Sequence, residues 1–182
     1  MNPSDEIMQR LKRKNAILFY QNSEFLSDFF SLLNTQTDKT LILWALDLAY
    51  ESACCLKEKY PRESRFTDAV FAAKGWAEGK IKMREAQRKI LDCHAFAKKI
   101  TDKADIASCH AVGQACGVVH TRRHAPGYPI YDLTSAVYRY GAENCLPYIE
   151  RRKQEYINRL FYWAERSEST EYSWADFIVK RN

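Results

Sequence analysis

Three of the chain's four histidines and one of its cysteines fall in HAVGQACGVVHTRRHA, residues 110–125, and His94 lies one predicted helix earlier. Imidazole and thiolate are the side chains that ligate zinc and similar ions. On a continuous helix His120 and His124 stand one turn apart, Cys116 one turn before them, and His94 can approach from a neighbour, so these four could share a metal. His110 lies ten residues from His120, about 15 Å along a helix axis, and cannot join them. The pair lacks the glutamate of HExxH, which excludes metalloprotease chemistry, and no CxxC supplies the usual cysteine spacing of structural zinc. No metal or other cofactor is expected. The first reading of these residues is structural: Ile106, Cys109, His110, Gly113, Cys116, Gly117, His120 and His124 fall in a sector of about 120°, the width of a buried helix face. Each glycine inside a helix costs roughly 1 kcal/mol against alanine, so something approaches closely at Gly113 and Gly117. The rings would then fill space beside the glycines and hydrogen-bond buried polar groups. A partner-facing surface and a metal site stand as the alternatives.

Asp47, in LWALDLAYESACCL at residues 43–56, is the second group of interest, because a carboxylate among small and apolar neighbours requires a partner. Catalysis by an aspartate and a histidine also needs a nucleophile and an oxyanion site. No glycine-flanked serine or reactive-cysteine signature is present, so no enzyme is expected. Charge gives the third feature. The chain carries 28 Lys and Arg against 23 Asp and Glu, net +5, and residues 74–103 alone hold that excess. A basic face can attract nucleic acid, but here it reads as the solvated side of an amphipathic helix, and nucleic-acid binding is the less favoured class.

The elements that position these groups follow from periodicity and caps. Apolar residues make up 46% of 182, while six glycines and five prolines are too few for an all-β chain with many tight turns. An all-α fold is expected, a single-domain multi-helix bundle of about eight mostly antiparallel helices over residues 1–182. Ser4 caps a helix over 4–20, and a short one spans 23–33. Residues 40–59 are apolar nearly all round and predict the central helix. Helices follow over 62–77, where Phe66, Val70, Phe71 and Ala73 form a stripe, and over 80–100, where Met83, Ala86, Ile90, Cys93, His94 and Ala97 recur every three or four residues. The glycine and histidine helix runs over 103–124, ended by Pro126. Helices at 129–140 and 146–165 and a short tail near Trp174 complete the bundle. No apolar run is long enough to span a bilayer and no basic start precedes a signal-peptide core, so a cytoplasmic protein with reduced thiols and no membrane segment is expected. Eight of eleven tyrosines follow Gly127. Tyr138, Tyr156 and Tyr162 are expected in the core, with the others, Tyr131 among them, as candidates for a contact surface.

Three motifs in order, LWALDLAYESACCL, WAEGKIKMREAQRKILDCHAFAKK at residues 76–99, and the glycine and histidine helix continuing into HAPGYPIYDLTSAVY, resemble the immunity protein five-like group of bacterial polymorphic toxin systems. The resemblance covers residues 41–141, leaving N-terminal helices over 4–33 and an aromatic-rich C-terminal part over 144–180 outside it. It implies an all-α protein that binds and neutralises a cognate toxin without turnover. It also implies that Asp47 pairs with His120, His124 or an arginine such as Arg122. Asp47, His94, His120, His124 and Tyr131 are the expected partner-binding or polar-core residues. The alternative is a helical protein that binds a metal or small ligand through His94, Cys116, His120 and His124. An inhibitor of a basic nuclease would more naturally be acidic, so the net charge argues against that kind of target or against electrostatic mimicry altogether, and leaves a different toxin chemistry open.

Overall fold

A computed structural model describes residues 2–169 and 171–181. Among them are nine α-helices and no strand: α1 (Pro3–Lys12), α2 (Ser27–Asn34), α3 (Asp38–Lys59), α4 (Arg65–Ala77), α5 (Met83–Phe96), α6 (Lys103–Gly117), α7 (Gly127–Tyr140), α8 (Leu146–Ala164) and the four-residue α9 (Asp176–Val179). The expected all-α fold is what the structure shows. Asn2 rather than Ser4 caps α1, accepting from the Ser4 N–H, and Thr37 caps α3 in the same way. The Asp102 side chain accepts from the N–H groups of Ala104 and Asp105 and starts α6.

The helix at the centre of the bundle is α6, which packs against α3, α4, α5 and α7. Eleven of its fifteen residues are buried, and they are small: Ala104, Ala107, Ser108, Cys109, Ala111, Gly113, Ala115, Cys116 and Gly117 among them. Small side chains let neighbours approach on every side, so the bulkier α3, expected at the centre, shares that place. It supplies Trp44, which meets Phe29, Tyr128 and Tyr156 at ring distances of 5.8, 6.5 and 6.4 Å. The Trp44 indole N–H donates to the Tyr156 carbonyl.

Three departures from the sequence reading have physical causes. The first helix stops at Lys12, not near Tyr20, because Lys14 adopts a left-handed φ of 58° and the Asn15 N–H turns back to the Arg10 carbonyl. Residues 15–20 cross the bundle instead, fully burying Leu18 and Phe19, with the Leu18 N–H donating to Thr134 Oγ1. The second is the end of α6 at Gly117, seven residues before His124. Val118 and Val119 are β-branched, and Thr121 caps a separate 3₁₀ turn over Arg122–His124 by accepting from the Arg123 N–H. Third, Phe71, Met83 and Tyr162 are exposed and Tyr138 is half-buried, whereas Tyr128 is completely buried; Tyr156 occupies the core as expected. All six cysteines are free thiols. No helix among the described residues is long and apolar enough to cross a membrane.

Candidate functional site

The two glycines of α6 are seats for histidine rings. A methyl group on Gly113 would lie 2.2 Å from His94 Nε2, and one on Gly117 would lie 3.0 Å from His124 Cγ. His94 comes from the last turn of α5, and its Nδ1 is 2.9 Å from His110 Nδ1, one nitrogen donating to the other. His124 Nδ1 lies 2.9 Å from the side-chain oxygen of Gln114, which in turn covers Gly127. Tyr131 of α7 stacks obliquely on His110 at 5.2 Å. One face of α6 is therefore paved by His94, His110, Gln114 and His124. His110, set apart from the other histidines by spacing along the sequence, is a full member of this group through its contact with His94.

His120 is not. Because α6 ends at Gly117, His120 leaves the helical register, is exposed and stacks on Trp76 of α4 at 6.0 Å, with Trp76 itself against Phe177. His120 and His124 thus do not stand one helical turn apart. Cys116 is completely buried, and burial pushes its thiol well above the ordinary range, away from the thiolate a metal needs. Among the described residues no three His, Cys, Asp or Glu side chains are arranged to hold a metal ion.

Burial, and then the charges of His110 and His124, push the His94 pKa down to about 4, and burial also lowers His110 and His124. A folded pKa below the ordinary 6.5 means that the unfolded chain takes up the proton first as pH falls. The stabilisation is complete above about pH 6.5 and is lost between there and about pH 4. Each unit is worth about 1.4 kcal/mol; discounted for the partial exposure of the ring, His94 should account for about 2 kcal/mol. Urea unfolding at pH 7 and pH 4.5, with the imidazole resonances followed by NMR, measures it, and a His94 that titrates near 6.5 in the folded protein contradicts it.

Asp47 meets an arginine, as expected, but it is Arg159 rather than Arg122, and it meets neither His120 nor His124. It accepts from Trp163 Nε1 at 3.1 Å and from Arg159 at 3.4 Å, and its carboxylate is 36% exposed. Arg122 instead binds Asp38 and donates to the carbonyls of Asn34 and Gln36. The cause is packing: Asp47 and Glu51 stand one turn apart on the side of α3 that meets α8, and α8 brings Arg159 to both.

A second polar centre went unnoticed in the sequence. Between α3, α6, α7 and α8 lies a cleft of about 310 Å³ that Arg152 helps to line. Arg152 Nε donates to Asp132 at 2.8 Å, Nη1 to Glu51 and Glu155 at 2.8 Å each, and Nη2 to the Tyr128 hydroxyl at 3.0 Å. The Tyr156 hydroxyl donates to Asp132 at 2.6 Å, and Tyr128 reaches Ser52 and the Leu48 carbonyl. Burial and the Asp132 charge drive both phenols upward, so they remain protonated donors. Asp105, almost fully buried, is held by Lys59, Arg139 and the Tyr60 hydroxyl. A sequence signal existed: Tyr128 with Asp132, and Arg152 with Tyr156, each place a phenol and a charge one turn apart on facing helices. The acceptors here are engaged by internal donors: the Arg152 network clamps α3, α7 and α8 together, and the Asp105 cluster ties α6 to α3 and α7.

Neither a curated protein nor a solved structure matches the chain. A family profile described as Imm-5 like putative immunity protein matches residues 31–159. The match runs from α2 into α8 and so takes in both the paved face of α6 and the Arg152 clamp, reaching past both ends of the 41–141 resemblance. With well over half of its length matched, the chain belongs to the Imm-5 like immunity protein family.

Proposed function

We propose that this protein neutralises a cognate toxin by stoichiometric binding, without turnover, in the cytoplasm of the cell that makes both. The observation that carries this reading is the family match over residues 31–159. The architecture supports it: polar side chains that resemble catalytic groups are tied to one another inside the scaffold, and several large apolar rings are left outside. Binding would bury about 1,600 Å² in total, the size of a standard stable complex. Among the expected site residues, His120, exposed on Trp76, and Asp47, beside the exposed Tyr50 and Phe71, are the ones positioned for a partner. His94, His124 and Tyr131 are assigned to holding the scaffold. Growth rescue tests this: each toxin candidate encoded beside the gene is expressed with and without the protein, followed by co-purification. The expected result is rescue of one toxin with a 1:1 complex, reduced by His120→Ala in a folded variant. No rescue and no complex with any candidate would overturn the proposal.

A further inference from the structure

The largest cavity described lies away from the Arg152 cleft. It occupies about 640 Å³ between the end of α1, the crossing segment after it, α6 and α7, within the 300–1,000 Å³ typical of small-molecule sites. Its walls are chiefly apolar, with Leu11 and Ile17 on one side and Ile106 of α6 on the other. Tyr138 fixes the crossing segment in place by donating to the Asn15 carbonyl at 3.2 Å.

The polar groups at this cavity have one sign. Lys14 and Lys103 line it and no Asp or Glu does. Neither ammonium forms an ion pair among the described residues; Lys103 lies over the Tyr138 ring at 5.6 Å. This contrasts with Lys59 and Lys153, whose ammonium groups rest on carboxylates. Two further groups have hydrogen-bonding capacity left. The Tyr131 hydroxyl has no hydrogen bond among the described residues, and His110 uses Nδ1 on His94, leaving Nε2. An apolar cavity that, among the described residues, has two cations outside any ion pair and no lining carboxylate is complementary to a molecule with an apolar body and one negative head.

We propose that this cavity binds a small amphipathic anion, a carboxylate or sulfonate on an aromatic ring or short aliphatic chain, with its body against Leu11, Ile17 and Ile106 and its head at Lys14 and Lys103. The site is independent of toxin binding, so either reading can fail alone. The test uses the fluorescent sulfonate 1-anilinonaphthalene-8-sulfonate on the full chain. Saturable binding at one per chain is expected, with displacement by decanoate and about ten-fold weaker displacement by decyltrimethylammonium, which keeps the chain length and reverses the charge. Ile106→Trp, which fills the cavity, should abolish binding. Lys14→Ala with Lys103→Ala, both exposed and so harmless to folding, should weaken it about ten-fold. Phe71→Ala, in a different groove, should leave it unchanged. Absence of saturable binding, equal displacement by the cation, binding that survives the lysine changes, or loss on Phe71→Ala would each overturn the assignment.

Discussion

Arg152→Ala is expected to lose about 3–5 kcal/mol of folding stability, a large share of what a domain of this size possesses. Arg152 is mostly buried and donates to Asp132, Glu51, Glu155 and Tyr128 at once. Removing it leaves Asp132, also mostly buried, with only the Tyr156 hydroxyl, and a carboxylate taken out of water without its counter-charge is costly. Glu51 keeps Arg159 and Glu155 is partly solvated, so Asp132 carries most of the penalty. Two controls separate this from general damage. Adding Asp132→Asn to Arg152→Ala should recover at least about 1 kcal/mol of the loss, because the orphaned charge goes with it. Arg166→Ala removes a surface pair with Glu165 and should change stability by no more than about 0.5 kcal/mol. Urea midpoints of the four proteins decide the matter, and an Arg152→Ala loss below about 1 kcal/mol would show that the clamp contributes little.

The second large effect is expected at Gly113. Valine there should destabilise the protein by about 3 kcal/mol, although glycine inside a helix is itself unfavourable. The first added carbon would meet the His94 ring at 2.2 Å, and that ring cannot simply turn aside without breaking its contact with His110. Combining Gly113→Val with His94→Ala removes the obstructing ring and should restore more than half of the loss; strictly additive losses would refute the ring-and-seat account. Gly75 in α4 offers the opposite case. Its added methyl would meet the Ile81 side chain at 3.6 Å, ordinary contact, so Gly75→Ala should stabilise by about 0.5–1 kcal/mol.

The two positions show how far sequence reading went. That Gly113 and Gly117 mark a close approach was legible from their cost in a helix, and that histidines would fill the space followed from their shared face. Which histidine fills which seat was not legible. His94 reaches Gly113 from α5, and His124 reaches Gly117 only because the chain turns after Val118 and Val119. A continuous helix to His124 would have carried both His120 and His124 along one face. The 3.6-residue periodicity of the sequence persists through 118–124, and periodicity does not register where a backbone leaves the helix. Asp47 is a similar case. Its need for a partner was readable, but the arginine that answers it is 112 positions away on α8.

By itself the sequence determined the class of fold, the approximate place of each helix, the seats on α6 and the family resemblance, because these depend on local periodicity, caps and motif order. Tertiary structure alone decided the pairing of side chains. It made α6 the centre through small residues, gathered Tyr128, Asp132, Arg152 and Tyr156 into one clamp, and left an open, largely apolar cavity beside Lys14 and Lys103. The physical reason is that hydrogen bonds and ion pairs act over about 3 Å, so they are set by which helix faces meet in space.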